Sequence, residues 1–80
     1  MVAVKLMSPA LRERHGARRV EIDAPDVDTL LRELSIEDDR DLRVLVNGRA
    51  IALLEGRATT LAADDAVAIY TIGIRGWPGG

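Results

Sequence analysis

One stretch of this chain constrains its fold more than any other. In "DAPDVDTLLREL" (23–34), Val27, Leu30, Leu31 and Leu34 fall at i, i+3, i+4 and i+7, one continuous apolar stripe along a helix. Asp26 stands just ahead of the stripe, where a carboxylate can accept the unpaired amide hydrogens of a first turn. Asp28 and Arg32, four apart on its flank, form a weak supporting pair. A helix over about 26–34 with one apolar face must lie on something, and the rest of the chain says what.

The flanking segments alternate with the period of a strand. "VAVKLM" (2–7) puts Val2, Val4 and Leu6 on one face, and "RRVEI" (18–22) puts Val20 and Ile22 inward. Between them, Ser8, Pro9 and Gly16 read as a loop with room for a helical turn around "ALRER", so the two strands form a long hairpin. "LRVLVNGRAIAL" (42–53) reads as a second hairpin, with Leu42, Val44 and Val46 inward. Its Asn47-Gly48 tolerates the positive φ angles of a two-residue type I′ turn. "EGRATTLAADD" (55–65) is irregular, with Gly56 and Asp64-Asp65 as turn formers and Leu61 plugging the core. "AVAIYTI" (66–72) is the last strand, Val67 and Ile69 its core positions. The expected architecture is α+β, with one main helix on a mixed sheet of four to five strands.

Composition narrows the function. Eighty residues make one small domain. A net charge of −2 suits a cytoplasmic protein and gives no support to nucleic-acid binding. No apolar run approaches the roughly 20 residues of a membrane span, and the N-terminus lacks the layout of a secretory signal. Cysteine is absent, which excludes disulfides, thiolate nucleophiles and Cys-ligated metal centres.

Other clusters favour plain readings. His15 is the only histidine and reads as a loop residue without special role. Arg12, Arg14, His15, Arg18 and Arg19 form a basic cluster beside the first hairpin, a solvated face or a docking patch for an acidic partner. Glu37, Asp38, Asp39 and Asp41 lack the spacing and glycine of a calcium loop and read as a solvated turn. No Gly-rich phosphate loop is present, and no metal site is expected.

Three segments in this order, "APDVDTLLREL" after a hairpin, "RVLVNGRAI", and "DDAVAIY" followed by a tail ending in Gly79-Gly80, resemble the ThiS/MoaD-type sulfur carriers, ubiquitin-like β-grasp proteins. The resemblance spans essentially the whole chain. It implies a β-grasp domain over 1–72 and a flexible C-terminal tail over 73–80. It implies that the Gly80 carboxylate is adenylated by an E1-like adenylyltransferase using MgATP. A sulfur donor (a rhodanese, a cysteine desulfurase or sulfide) then displaces AMP, and the resulting thiocarboxylate passes sulfur to a downstream synthase. On that reading the chain binds no cofactor, has no catalytic site, and docks its activating enzyme through apolar positions on the exposed sheet face.

The tail "GIRGWPGG" fits such a task, although it is longer than the family's usual tail and carries a Trp-Pro. Extended, residues 73–80 reach at most about 26–29 Å. Gly76, Gly79 and Gly80 can thread a narrow channel. Pro78 biases Trp77 toward an extended shape. Arg75 and Trp77 are candidate partner contacts, with Trp77 either an anchor in a partner's groove or a cap on the domain's own core. Three alternatives to a sulfur carrier accompany this reading: a ubiquitin-like modifier joined to lysines through Gly80, the small subunit of a molybdopterin-synthase-like complex, and an interaction domain with an idle tail.

Overall fold

The computed structural model describes residues 1–36 and 41–71. Five strands form one mixed sheet: β1 (Val2–Leu6), β2 (Arg19–Ile22), β3 (Leu42–Val46), β4 (Arg49–Ala50) and β5 (Ala66–Thr71), ordered β2-β1-β5-β3-β4. The sheet is mixed because β1 and β5 run parallel at its centre, while β1–β2, β3–β4 and β3–β5 pair antiparallel. The two chain-terminal strands thus become neighbours, and the remaining strands pair outward from them.

Helix α2 (Val27–Glu33) lies on one face of this sheet. Its stripe lands where the periodicity places it: Val27, Leu30, Leu31 and Leu34 are buried with Val4, Leu6, Val44, Val46, Val67 and Ile69. Asp26 caps the helix by accepting the Thr29 backbone N–H at 2.8 Å. At the other end, the Ile36 N–H returns to the Leu31 carbonyl and the Ser35 N–H to that of Arg32. This is a Schellman motif, and it forces Ser35 to a φ of 56°.

The segment read as a loop over 8–17 contains a second helix, α1 (Pro9–His15). Pro9 and Gly16 were its punctuation rather than its breakers. Proline at the first helical position lacks only an N–H that would be unpaired anyway, and Gly16 takes the left-handed conformation that closes a helix. Buried Leu11 holds the helix to the core, and His15 is its last residue.

The second hairpin is also shorter on its far side than expected. β4 is two residues long, and the chain leaves the sheet in a 3-10 turn over Ile51–Leu53. Ile51 is drawn toward the core, whereas Leu53 is left exposed. The region read as irregular holds another 3-10 turn, Gly56–Ala58, and Leu61 is buried as expected. This crossover is stitched to the start of α2. The Val27 N–H donates to the Thr59 carbonyl at 3.0 Å, and the Leu61 N–H to that of Pro25 at 2.9 Å. Asp28 bridges Arg32 at 2.9 Å and Arg57 at 2.7 Å, tying the same regions through side chains.

Candidate functional site: the open face of the sheet

With α2 on one side, the other side of the sheet carries the residues that alternate with the core. The strand registers arrange them in rows. Arg19, Lys5, Ala68 and Leu45 follow one another across β2, β1, β5 and β3. Glu21, Ala3 and Ala66 form a parallel row beneath, and Tyr70 sits beside Arg43 above. None of these side chains is buried.

The centre of this face is made of small residues. Ala3, Ala66 and Ala68 raise little above the backbone, and over Ala3 and Ala66 a shallow trough of about 320 Å³ runs between β1 and β5, rimmed by Lys5, Arg18 and Arg19. Leu45 and Tyr70 stand on its other side, half-exposed. An apolar floor with a basic rim suits a protein surface that brings an apolar ridge flanked by carboxylates. Of the basic cluster seen in the sequence, Arg14, Arg18 and Arg19 are exposed. Arg12 is engaged, donating from Nε to the Leu6 carbonyl at 2.8 Å.

One end of this face is pinned by Asn47. The Asn47-Gly48 turn has φ angles of 53° and 82°, as a type I′ turn requires. The Asn47 side chain also reaches across to β5: its Oδ1 accepts the Ala66 N–H at 2.9 Å and its Nδ2 donates to Asp65 Oδ1 at 2.9 Å. Asp65 Oδ2 in turn accepts the Ala62 N–H at 2.8 Å. These bonds hold the Asp65 carboxyl below the ordinary carboxylate range, the Ala62 amide contributing most. The turn signal in "VNG" was legible in sequence, but this second task of Asn47 was not. It depends on Asp65 and Ala66 arriving beside the turn, which only the β3–β5 pairing brings about.

At the other end, Thr71 of β5 pairs with Leu42. Arg75, Gly76, Trp77, Pro78, Gly79 and Gly80 lie outside the described residues, as do Glu37, Asp38 and Asp39 of the acidic run. Among the described residues, no group of three or more His, Asp or Glu side chains could hold a metal ion. No described helix is long and apolar enough to cross a membrane.

Comparison with known proteins agrees with this architecture. A search of curated proteins finds no match. Among solved structures, the chain is similar to the small archaeal modifier protein 1 (SAMP1) of Methanosarcina acetivorans, with 26% identity over 88% of this chain and 90% of that one and a TM-score of 0.76. Mycobacterium tuberculosis CysO shares its fold at 20% identity, covering 89% of this chain and 98% of that one, with a TM-score of 0.78. So does the Amycolatopsis orientalis BexX/CysO complex, at 18% identity over 89% and 94% of the chains and a TM-score of 0.78. A family model for the ThiS family matches residues 9–72, from the first residue of α1 to just past β5. The match takes in the capped helix, the Asn47-Gly48 turn and the central strand β5, and with the mixed β-grasp sheet it establishes that this chain belongs to the ThiS family of ubiquitin-like sulfur carriers.

Proposed function

We propose that the chain is a protein co-substrate without a catalytic site of its own, and that its C-terminal glycine carries the sulfur. An E1-like enzyme docks on the open sheet face and uses MgATP to form an acyl-adenylate on the Gly80 carboxylate, releasing pyrophosphate. Sulfide attacks the acyl carbon and expels AMP, leaving a thiocarboxylate directly. A persulfide donor expels AMP to give an acyl disulfide, whose S–S bond a thiol of the donor system then cleaves, forming a disulfide there and freeing the thiocarboxylate. The thiocarboxylate then donates its sulfur to a downstream synthase. Adenylation is the enabling step, because a carboxylate is a poor electrophile until one oxygen has become part of a good leaving group.

The observation that carries this reading is membership of the ThiS family together with Gly79-Gly80 a few residues beyond the central strand. The open face supports it, because Ala66 and Ala68 of its floor sit on the very strand that leads to residues 73–80, beside Ala3 of β1. Arg75, Gly76, Trp77, Pro78 and Gly79 then set how the terminus threads into the partner. That a structural neighbour was solved as the BexX/CysO complex is in keeping with an enzyme partner.

A second reading, conjugation of Gly80 to lysines of other proteins, draws support from the modifier name of the Methanosarcina relative. Both readings share the activated terminus. Pyrophosphate exchange by the cognate activating enzyme tests that shared step: the full chain should support exchange, and a chain lacking Gly79 and Gly80 should not. Equal exchange with both chains would overturn it.

A further inference from the structure

Strand β2 forms one edge of the sheet, and its backbone phase can be read from the ladder. The Leu6 N–H donates to the Arg18 carbonyl at 2.8 Å, so Arg18 turns its peptide groups toward β1. In an antiparallel ladder this alternates. Val20, opposite Val4, and Ile22, opposite Val2, also bond inward. Arg19 and Glu21 therefore direct their N–H and carbonyl groups away from the sheet, along an edge that no strand covers among the described residues. Their side chains stand on the open face and both are exposed.

An edge of this kind is a template for another strand. Proteins commonly blunt such edges with charge, but here the two charges are opposite and two residues apart. We infer that this edge pairs with the same edge of a second copy, β2 against β2, around a two-fold axis at Val20. The argument is one of register. Outward-facing residues must meet outward-facing residues, which leaves three antiparallel alignments within the strand. Two of them set Arg19 against the partner's Arg19 or Glu21 against the partner's Glu21, and like charges directly opposite oppose pairing. The third sets Arg19 against the partner's Glu21 and Glu21 against the partner's Arg19. It closes four backbone hydrogen bonds and two cross-strand ion pairs at once.

That alignment is self-complementary, as a two-fold interface requires. It also brings Val20 against the partner's Val20 on the helix side of the sheet, covering an apolar side chain that is only partly buried in one copy. The two sheets become one, with both open faces on the same side. The interface is short, so the dimer is weak and reversible. It involves neither the end of β5 nor the residues beyond it, and it stands or falls independently of the sulfur-carrier reading.

Sedimentation equilibrium of the full 80-residue chain in low salt, from micromolar to millimolar concentration, tests this. The expected result is a monomer–dimer equilibrium. R19E or E21R alone should weaken it roughly tenfold or more, and the double variant R19E/E21R should restore it. Hydrogen exchange at the Arg19 and Glu21 amides should slow as concentration rises. Both side chains are exposed, so the variants should fold, which circular dichroism verifies. A wild-type chain monomeric throughout, a dimer indifferent to the single reversals, or a double variant that stays monomeric would each overturn the inference.

Discussion

The two faces of the sheet are built from the same strands and differ in almost everything else. On β5, Val67 and Ile69 are buried under α2, while Ala66 and Ala68, one residue away, lie open. On β1 the same alternation sets Val4 and Leu6 against Ala3 and Lys5. The inner face is branched aliphatic and close-packed. The outer face has small side chains at its centre and charges at its rim. A chain of eighty residues without cysteine has little core to spare, so one face must supply nearly all the packing. The other is released from that duty, and its alanines keep the surface flat enough for another protein to approach.

Neighbouring residues on one strand can test this division most sharply. Ile69→Ala should destabilise the fold by about 2–5 kcal/mol in denaturant unfolding, because it opens a cavity under α2. Ala68→Glu, on the opposite face, should leave stability nearly unchanged. It should weaken association with the activating enzyme by about tenfold or more, measured calorimetrically, because it raises a long side chain over the flat floor and sets a carboxylate beside Lys5, cancelling part of the basic rim. If Ala68→Glu unfolds the chain, or binds as the wild type does, the division is wrong.

Asn47 sits where the two faces meet the loops, and Asn47→Ala should cost about 1–2 kcal/mol by chemical denaturation through its lost bonds to Asp65 and Ala66. A smaller effect comes with acid. The carboxyls of Asp26 and Asp65 are lowered from an ordinary value of 3.8, Asp26 chiefly by the Thr29 amide and Asp65 chiefly by the Ala62 amide. Each releases its proton more readily folded than unfolded. Their stabilisation is therefore complete above the ordinary value and is lost as pH falls through the lowered one. Thermal melts should fall on acidification through that window, and an Asp26→Asn/Asp65→Asn double variant should show a shallower fall.

The helix ends give the smallest and most local test. Both helices close on a left-handed residue followed by an N–H that bonds five positions back, Ala17 to Arg12 and Ile36 to Leu31, but Gly16 occupies the left-handed position after α1 and Ser35 occupies it after α2. Ser35→Gly should stabilise the protein by about 0.5 kcal/mol, seen as a small rise in Tm, since relief of backbone strain outweighs the added freedom of the unfolded chain. It should leave activation by the partner enzyme untouched.

How much of this was legible in sequence depends on how local the determining physics is. The α2 stripe, its Asp26 cap, the type I′ turn and the core positions of β1, β3 and β5 are set by neighbours within a few residues, and all were readable. Helix α1 was read only as a helical turn within a loop, because Pro9 and Gly16 are boundary signals as well as breakers, and only the burial of Leu11 settles which role they play. The short β4 and the Asn47–Asp65 link depend on pairings between distant segments, for which a single sequence carries no signal. The open face was expected in kind. Its membership, Ala3, Lys5, Leu45, Ala66, Ala68 and Tyr70, needed the registers. The tail's chemistry was read from its glycines and the family they resemble, and Arg75 to Gly80 lie outside the described residues.

That chemistry can be examined directly. The chain, incubated with its activating enzyme, MgATP and a sulfur donor, is treated with a thiol-selective alkylating agent and its C-terminal peptide is weighed. With no cysteine in the sequence, any alkylated sulfur has been added to the chain, and alkylation separates oxygen-to-sulfur exchange from oxidation of Met1, Met7 or Trp77. A label on Gly80 that requires both ATP and the sulfur donor is the predicted result. An unlabelled terminus, with an activating enzyme shown to be competent, would contradict the sulfur-carrier account and turn attention to Gly80–lysine conjugates.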